Sequence, residues 1–103
     1  MSPENSSQKR VYFHVEGDKS SGAGVQGVGF RYFTREHAQA YKITGWVRNK
    51  SDGNVEGEAQ GGEREMAKFL KDIEKGPRGA SVKKVEQEDR EVATAEAAFE
   101  VRH

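Results

Sequence analysis

The chain reads as an α+β domain in which two helices cover one face of a mainly antiparallel sheet, in the order strand, helix, strand, strand, helix, strand, with a short terminal strand added. Three observations lead there. Apolar residues alternate at Val11, Phe13 and Val15. They recur with a helical period from Phe30 to Tyr41 and again at Met66, Phe69, Leu70 and Ile73. Asp52-Gly53 then separates two short alternating runs as a hairpin turn does.

At 103 residues the sequence has room for one domain and one core. Met1 to Lys9 is polar and aperiodic and is read as a disordered tail, with the domain spanning 10–103. Arg10 to Gly17 is a half-buried strand, with Tyr12, His14 and Glu16 on the side opposite the valines and phenylalanine. Asp18 to Gly24 is a loop of small and polar residues. In the first helix, Thr34 and His37 share the stripe of Phe30, Phe33, Ala38 and Tyr41. Gly45 to Asn49 and Asn54 to Gly61 form the hairpin. The second helix has Glu63 and Glu65 in its first turn, Lys71 and Lys75 in its last, and Gly76-Pro77 as a stop. Val82 to Asp89 and Ala98 to Arg102 complete the strands, and the pattern is that of a ferredoxin-like, split βαβ sandwich with its second sheet face open.

Composition narrows the function. Seventeen basic and seventeen acidic side chains cancel, so no broad positive field attracts DNA or RNA, although a small anion could still bind locally. The absence of cysteine excludes disulfides, thiolate metal sites and a thiolate nucleophile, and fits a cytoplasmic protein. No apolar window is long enough to span a membrane.

The segment with chemical content is Val25-Gln26-Gly27-Val28-Gly29-Phe30-Arg31, which joins the first strand to the first helix. Its glycines allow successive N–H groups to face inward, and the helix N-terminus that follows favours an anion at the same place. Arg31 opposes the helix dipole there, which an anionic ligand would reverse, and its planar fork suits two phosphate oxygens. A solvated surface arginine is the competing reading. Asn49, just before the turn, is either a turn asparagine bonding its own backbone or an amide placed to hold a water.

Other motifs fit the loop less well. Gly22 to Gly27 matches the G-x-G-x-x-G pattern, but the chain is too short for a doubly wound domain. Val28 stands where a P-loop requires lysine. Gln26 to Phe33 has glycines and aromatics in the register of an RNA-binding strand motif, yet its spacing from Phe30 onward is helical.

Taken together, Val25 to Arg31 with Gly45-Trp46-Val47-Arg48-Asn49 and Asp52-Gly53-Asn54-Val55 resemble the acylphosphatase family, and the likeness runs from Val11 to Val101. The resemblance implies hydrolysis of acyl phosphates without metal or cofactor by a cytoplasmic monomer, with inorganic phosphate as product and competitive inhibitor. It further implies that Arg31 and the loop N–H groups of Gln26, Gly27, Val28, Gly29 and Phe30 hold the phosphate, and that Asn49 orients the attacking water. His14, His37 and His103 have no part in that scheme. The sequence departs from the family at Asp18 to Gly24, where a single residue is usual. A mobile insert at this place would loosen the loop, so a non-catalytic anion-binding or accessory module is the alternative.

Overall fold

The computed structural model describes residues 8–18, 20 and 24–103. Residues 1–7 of the tail expected over 1–9, and most of the insert, residues 19 and 21–23, lie outside the described residues. The chain forms β1 (Gln8–Gly17), α1 (Phe30–Ala40), β2 (Thr44–Asn49), β3 (Val55–Gly62), α2 (Glu63–Lys75), β4 (Val82–Arg90) and β5 (Phe99–Arg102). The sheet order is β4-β1-β3-β2-β5, with β5 parallel to β2 and the other pairings antiparallel. This is the expected ferredoxin-like α+β arrangement.

One boundary is corrected. β1 begins at Gln8, where Gln8 and Lys9 pair with Gly62 and Gly61, so the expected tail over 1–9 overran the strand. Polar composition concealed these two residues because they gain backbone pairing and one exposed ion pair, Lys9 with Asp89 at 3.9 Å, and bury no apolar side chain.

The core lies between the sheet and the helices. Val11, Phe13 and Val15 of β1, Val47 of β2, Val55 and Ala59 of β3, and Phe30, Met66, Phe69 and Ile73 from the helices are buried. Phe13 meets Phe69 edge-on at 5.8 Å. Gly57 makes this possible, because a Cβ there would stand 2.5 Å from Phe13 Cζ and 2.2 Å from the Trp46 carbonyl oxygen. Between the helices, Asp72 accepts from Tyr41 Oη at 2.6 Å and lies 2.8 Å from His37 Nδ1. Burial alone would raise the Asp72 carboxyl, but these contacts outweigh it and hold it below the ordinary range.

The second sheet face is open only in part, contrary to expectation. The β4–β5 connection folds over one end of it, where Ala93 exchanges backbone hydrogen bonds with the Gln60 amide and Glu96 pairs with Arg10 at 2.8 Å. Arg10 also donates to Glu58 at 2.7 Å and to Gln60 at 3.1 Å, and is only 7% exposed. The sequence of this connection has no periodicity, and its anchors are polar side chains on strands distant in sequence.

Candidate active site

The loop expected to cradle an anion closes β1 onto α1. Gly27 and Gly29 have φ of 75° and 76°, in the left-handed region, and a Cβ on either would meet nothing within 4 Å. Backbone conformation, rather than crowding, therefore calls for glycine at both positions. Gly29 caps α1 without a side-chain hydrogen bond, and the first turn holds no acidic residue. The helix thus starts with its orphan N–H groups and positive end uncompensated by its own side chains.

A cavity of about 100 Å³ opens at this helix end, lined by Val25, Gly27, Gly29, Phe30, Arg31, Tyr32 and Asn49. Arg31 and Asn49 thus reach one cavity from opposite ends of the α1–β2 unit, as does part of the glycine loop. Gln26 and Val28, expected in the same cradle, are not among the lining residues. Val28 packs against the core. Gln26 instead sends its amide across to the β2–β3 turn, where Nε2 donates to the carbonyls of Lys50 at 2.7 Å and Asn54 at 2.8 Å.

That turn is itself closed. Lys50 N–H donates to Asn54 O at 2.8 Å, Gly53 N–H to Lys50 O at 3.2 Å, and Asn54 N–H to Asp52 Oδ1 at 3.0 Å. Asn54 Oδ1 accepts from Gly17 N–H at 3.1 Å, which ties the end of β1 to the same turn. Gln26 and Asn54 therefore join the glycine loop, the end of β1 and the segment that follows Asn49 into one piece. The sequence hides these side-chain ties, since Gln26 stood out there only for its backbone N–H and Asn54 only as the start of a hairpin strand.

The stems of the insert are also fixed. Asp18 N–H donates to Ser81 O, and Ser81 N–H donates to Gly24 O, each at 2.8 Å. One residue thus clasps the points where the chain leaves and rejoins the site.

Arg31 is held from the C-terminus. Its Nη1 donates to Arg102 O at 3.0 Å and lies 3.1 Å from His103 Nδ1. Both contacts use Nη1, so the Nε and Nη2 edge of the guanidinium makes neither. Two donors in a plane remain on that edge, the geometry that grips two oxygens of one anion. His103, which sequence placed only at the terminus, thereby becomes a neighbour of the site. His14 and His37 lie elsewhere, beside Lys50 and Glu86 on the sheet and beside Asp72 between the helices. Among the described residues, no three His, Asp or Glu side chains gather where they could hold a metal ion.

The family model for Acylphosphatase matches residues 20–101. The chain belongs to the acylphosphatase family. An acylphosphatase of Geobacillus thermodenitrificans is 45% identical over 93 residues, covering 90% of this chain and 93% of that relative. One from Salinibacter ruber is 40% identical over 99 residues, covering 96% and 98%. Among solved structures, an acylphosphatase from Coxiella burnetii superposes with a TM-score of 0.85 at 31% identity, covering 99% of this chain and 100% of that one. The Bacillus subtilis acylphosphatase gives 0.81 at 30% identity, covering 91% and 98%. The expectation drawn from the glycine loop and the tryptophan strand is thereby met at the level of family, fold and enzyme class, that of a hydrolase.

Proposed function

We propose that the chain hydrolyses acyl phosphates by direct attack of water on phosphorus in the cavity between Arg31 and Asn49. The observation that carries this reading is that one small cavity is lined by a guanidinium, a carboxamide and the backbone of two left-handed glycines at a helix N-terminus. The Nε and Nη2 edge of Arg31 takes two phosphoryl oxygens, and N–H groups of the Gln26–Phe30 loop take the third. Asn49 accepts a hydrogen bond from a water through its carboxamide oxygen and so aims that water's lone pair at phosphorus.

As the new P–O bond forms, the bond to the acyl oxygen breaks, and the carboxylate departs with the electron pair. The water's proton passes to bulk solvent or to the phosphate product. A carboxylate is a weak base, so the step needs no strong acid to assist departure. The donors around phosphorus stabilise the charge as it spreads over the phosphoryl oxygens, which is the larger part of catalysis in such a reaction.

The non-catalytic alternative rested on an insert that loosens the cradle. The Ser81 clasp and the Gln26–Asn54 tie support the catalytic reading, because they hold both ends of the loop whatever lies between the stems. Turnover of benzoyl phosphate with a chelator present tests the proposal. Release of benzoate and phosphate at an enzymatic rate is expected, with competitive inhibition by inorganic phosphate. Phosphate binding without turnover would return the accessory-module reading.

A further inference from the structure

We infer that Tyr32 is a specificity-determining residue, the platform on which the acyl group of the substrate rests, and that it favours acyl phosphates with an aromatic or broad apolar acyl group. This rests on the hydrolase reading above. The cavity's volume of about 100 Å³ is far below the several hundred cubic ångströms that a small-molecule pocket usually offers. A phosphoryl group fills such a space. The acyl half must therefore lie outside, over the rim.

Tyr32 supplies the large aromatic surface at that rim. It lines the cavity beside Arg31 and is 48% exposed, and among the described residues only Val92 is a comparably exposed large hydrophobic residue. Its place on α1 explains the exposure, since Phe30, Thr34 and Ala38 form the buried stripe and Tyr32 falls off it. Folding thus leaves about half of the residue uncovered. Two guanidiniums flank it, Arg35 with its carbon 5.3 Å and Arg31 with its carbon 6.0 Å from the ring centroid. These contacts hold the ring near the phosphate-binding arginine, and a ring fixed in advance loses little freedom when a second ring stacks on it.

Stacking of the acyl group acts on bound substrate and transition state alike, so its loss belongs in KM more than in kcat. The test compares benzoyl phosphate with acetyl phosphate, which carries no ring, for the wild type, Tyr32→Ala and Tyr32→Phe. Tyr32→Ala should lower the benzoyl-to-acetyl ratio of kcat/KM by roughly threefold to tenfold through KM, the range set by one aromatic pair. Tyr32→Phe should restore the ratio, since it keeps the ring. Inhibition by inorganic phosphate reports the cradle separately. An unchanged ratio in Tyr32→Ala, or an equal loss for both substrates, would overturn the inference while leaving the hydrolase reading in place. If the wild type turned over neither substrate, both would fall.

Discussion

In the proposed reaction Arg31 works by shape as much as by charge. Its Nη1 is engaged by Arg102 O and faces His103, which leaves the opposite edge to grip an anion. Arg31→Lys keeps the charge but offers one point donor in place of two coplanar ones, so phosphate affinity by calorimetry should fall about tenfold or more. Affinity close to wild type in the lysine variant would show that charge alone suffices. Gly29→Ala tests the backbone. A left-handed φ of 76° costs a residue with a Cβ about 1–2 kcal/mol, and relaxation of that strain should move the loop N–H groups and weaken phosphate binding as well as stability. A variant equally stable and equally tight would mean that the glycine is dispensable. At this scale the sequence displayed Arg31, Asn49, Gly27 and Gly29, because each residue type is conspicuous where it stands. It did not display Tyr32 at the cavity or the ties made by Gln26 and Asn54, since those placements depend on what lies across the cavity or across the turn.

Among the elements, the strand-to-helix insert is the instructive one. Read as sequence, it is a flexible link that should loosen the cradle, and shortening it should raise kcat/KM. The Ser81 clasp reverses that expectation, since Asp18 and Gly24 are each bonded to the same residue and Gly17 approaches Gly24 closely. A Cβ on Gly17 would stand 3.0 Å from Gly24 Cα. Deleting residues 19–23 and joining the stems through a short linker should therefore leave kcat/KM within about twofold of wild type and shift the unfolding midpoint only slightly, as loop closure entropy changes slowly with length. A large gain in activity would restore the loosened-cradle view, and a large loss in a folded variant would place a substrate contact in the excursion. Backbone bonding between residues far apart in the chain leaves no mark on composition, which is why the clasp was not legible. The strands and helices were, because their apolar periods are enforced by a core on one side only. β4 marks the limit, since its charged residues suit an edge strand and carry little alternation.

Several charged groups of the fold stand in pairs, Arg48 with Glu56 and Arg10 with Glu96 among them, and these should set the pH range of stability. The Glu56 and Glu96 carboxyls would be raised by burial, but hydrogen bonds from Tyr12 and Arg48 to the first, and from Arg10 to the second, outweigh it and hold both low, as Asp72 is held. A carboxyl lowered in the folded state adds stability above its unfolded pKa and loses it as pH falls through the folded value, so the melting temperature should drop below about pH 4. Tyr12 sets the opposite limit. Burial first, and then its bond to Glu56, push its hydroxyl up to about 12. A group raised in this way contributes fully below its unfolded value near 10 and ceases to contribute as pH rises through 12, so stability should decline from about pH 10 upward. Tyr12→Phe should flatten that alkaline decline, and an unchanged profile would assign it to other groups. Overall architecture was legible from order and period, whereas the covered end of the sheet was not, because Arg10, Gln60 and Glu96 meet only when the fold is complete.

In the proposed reaction Arg31 holds the phosphoryl group while Asn49 directs the water, two roles separable by experiment. The measurement is benzoyl phosphate turnover by Asn49→Ala together with the dissociation constant of inorganic phosphate for the same variant. Loss of one positioned transition-state contact should lower kcat by about 10²-fold or more, with phosphate bound as tightly as by the wild type. Turnover near wild type would show that Asn49 does not direct the water, and a phosphate affinity that collapses with the asparagine would make it a ligand of the bound phosphate instead.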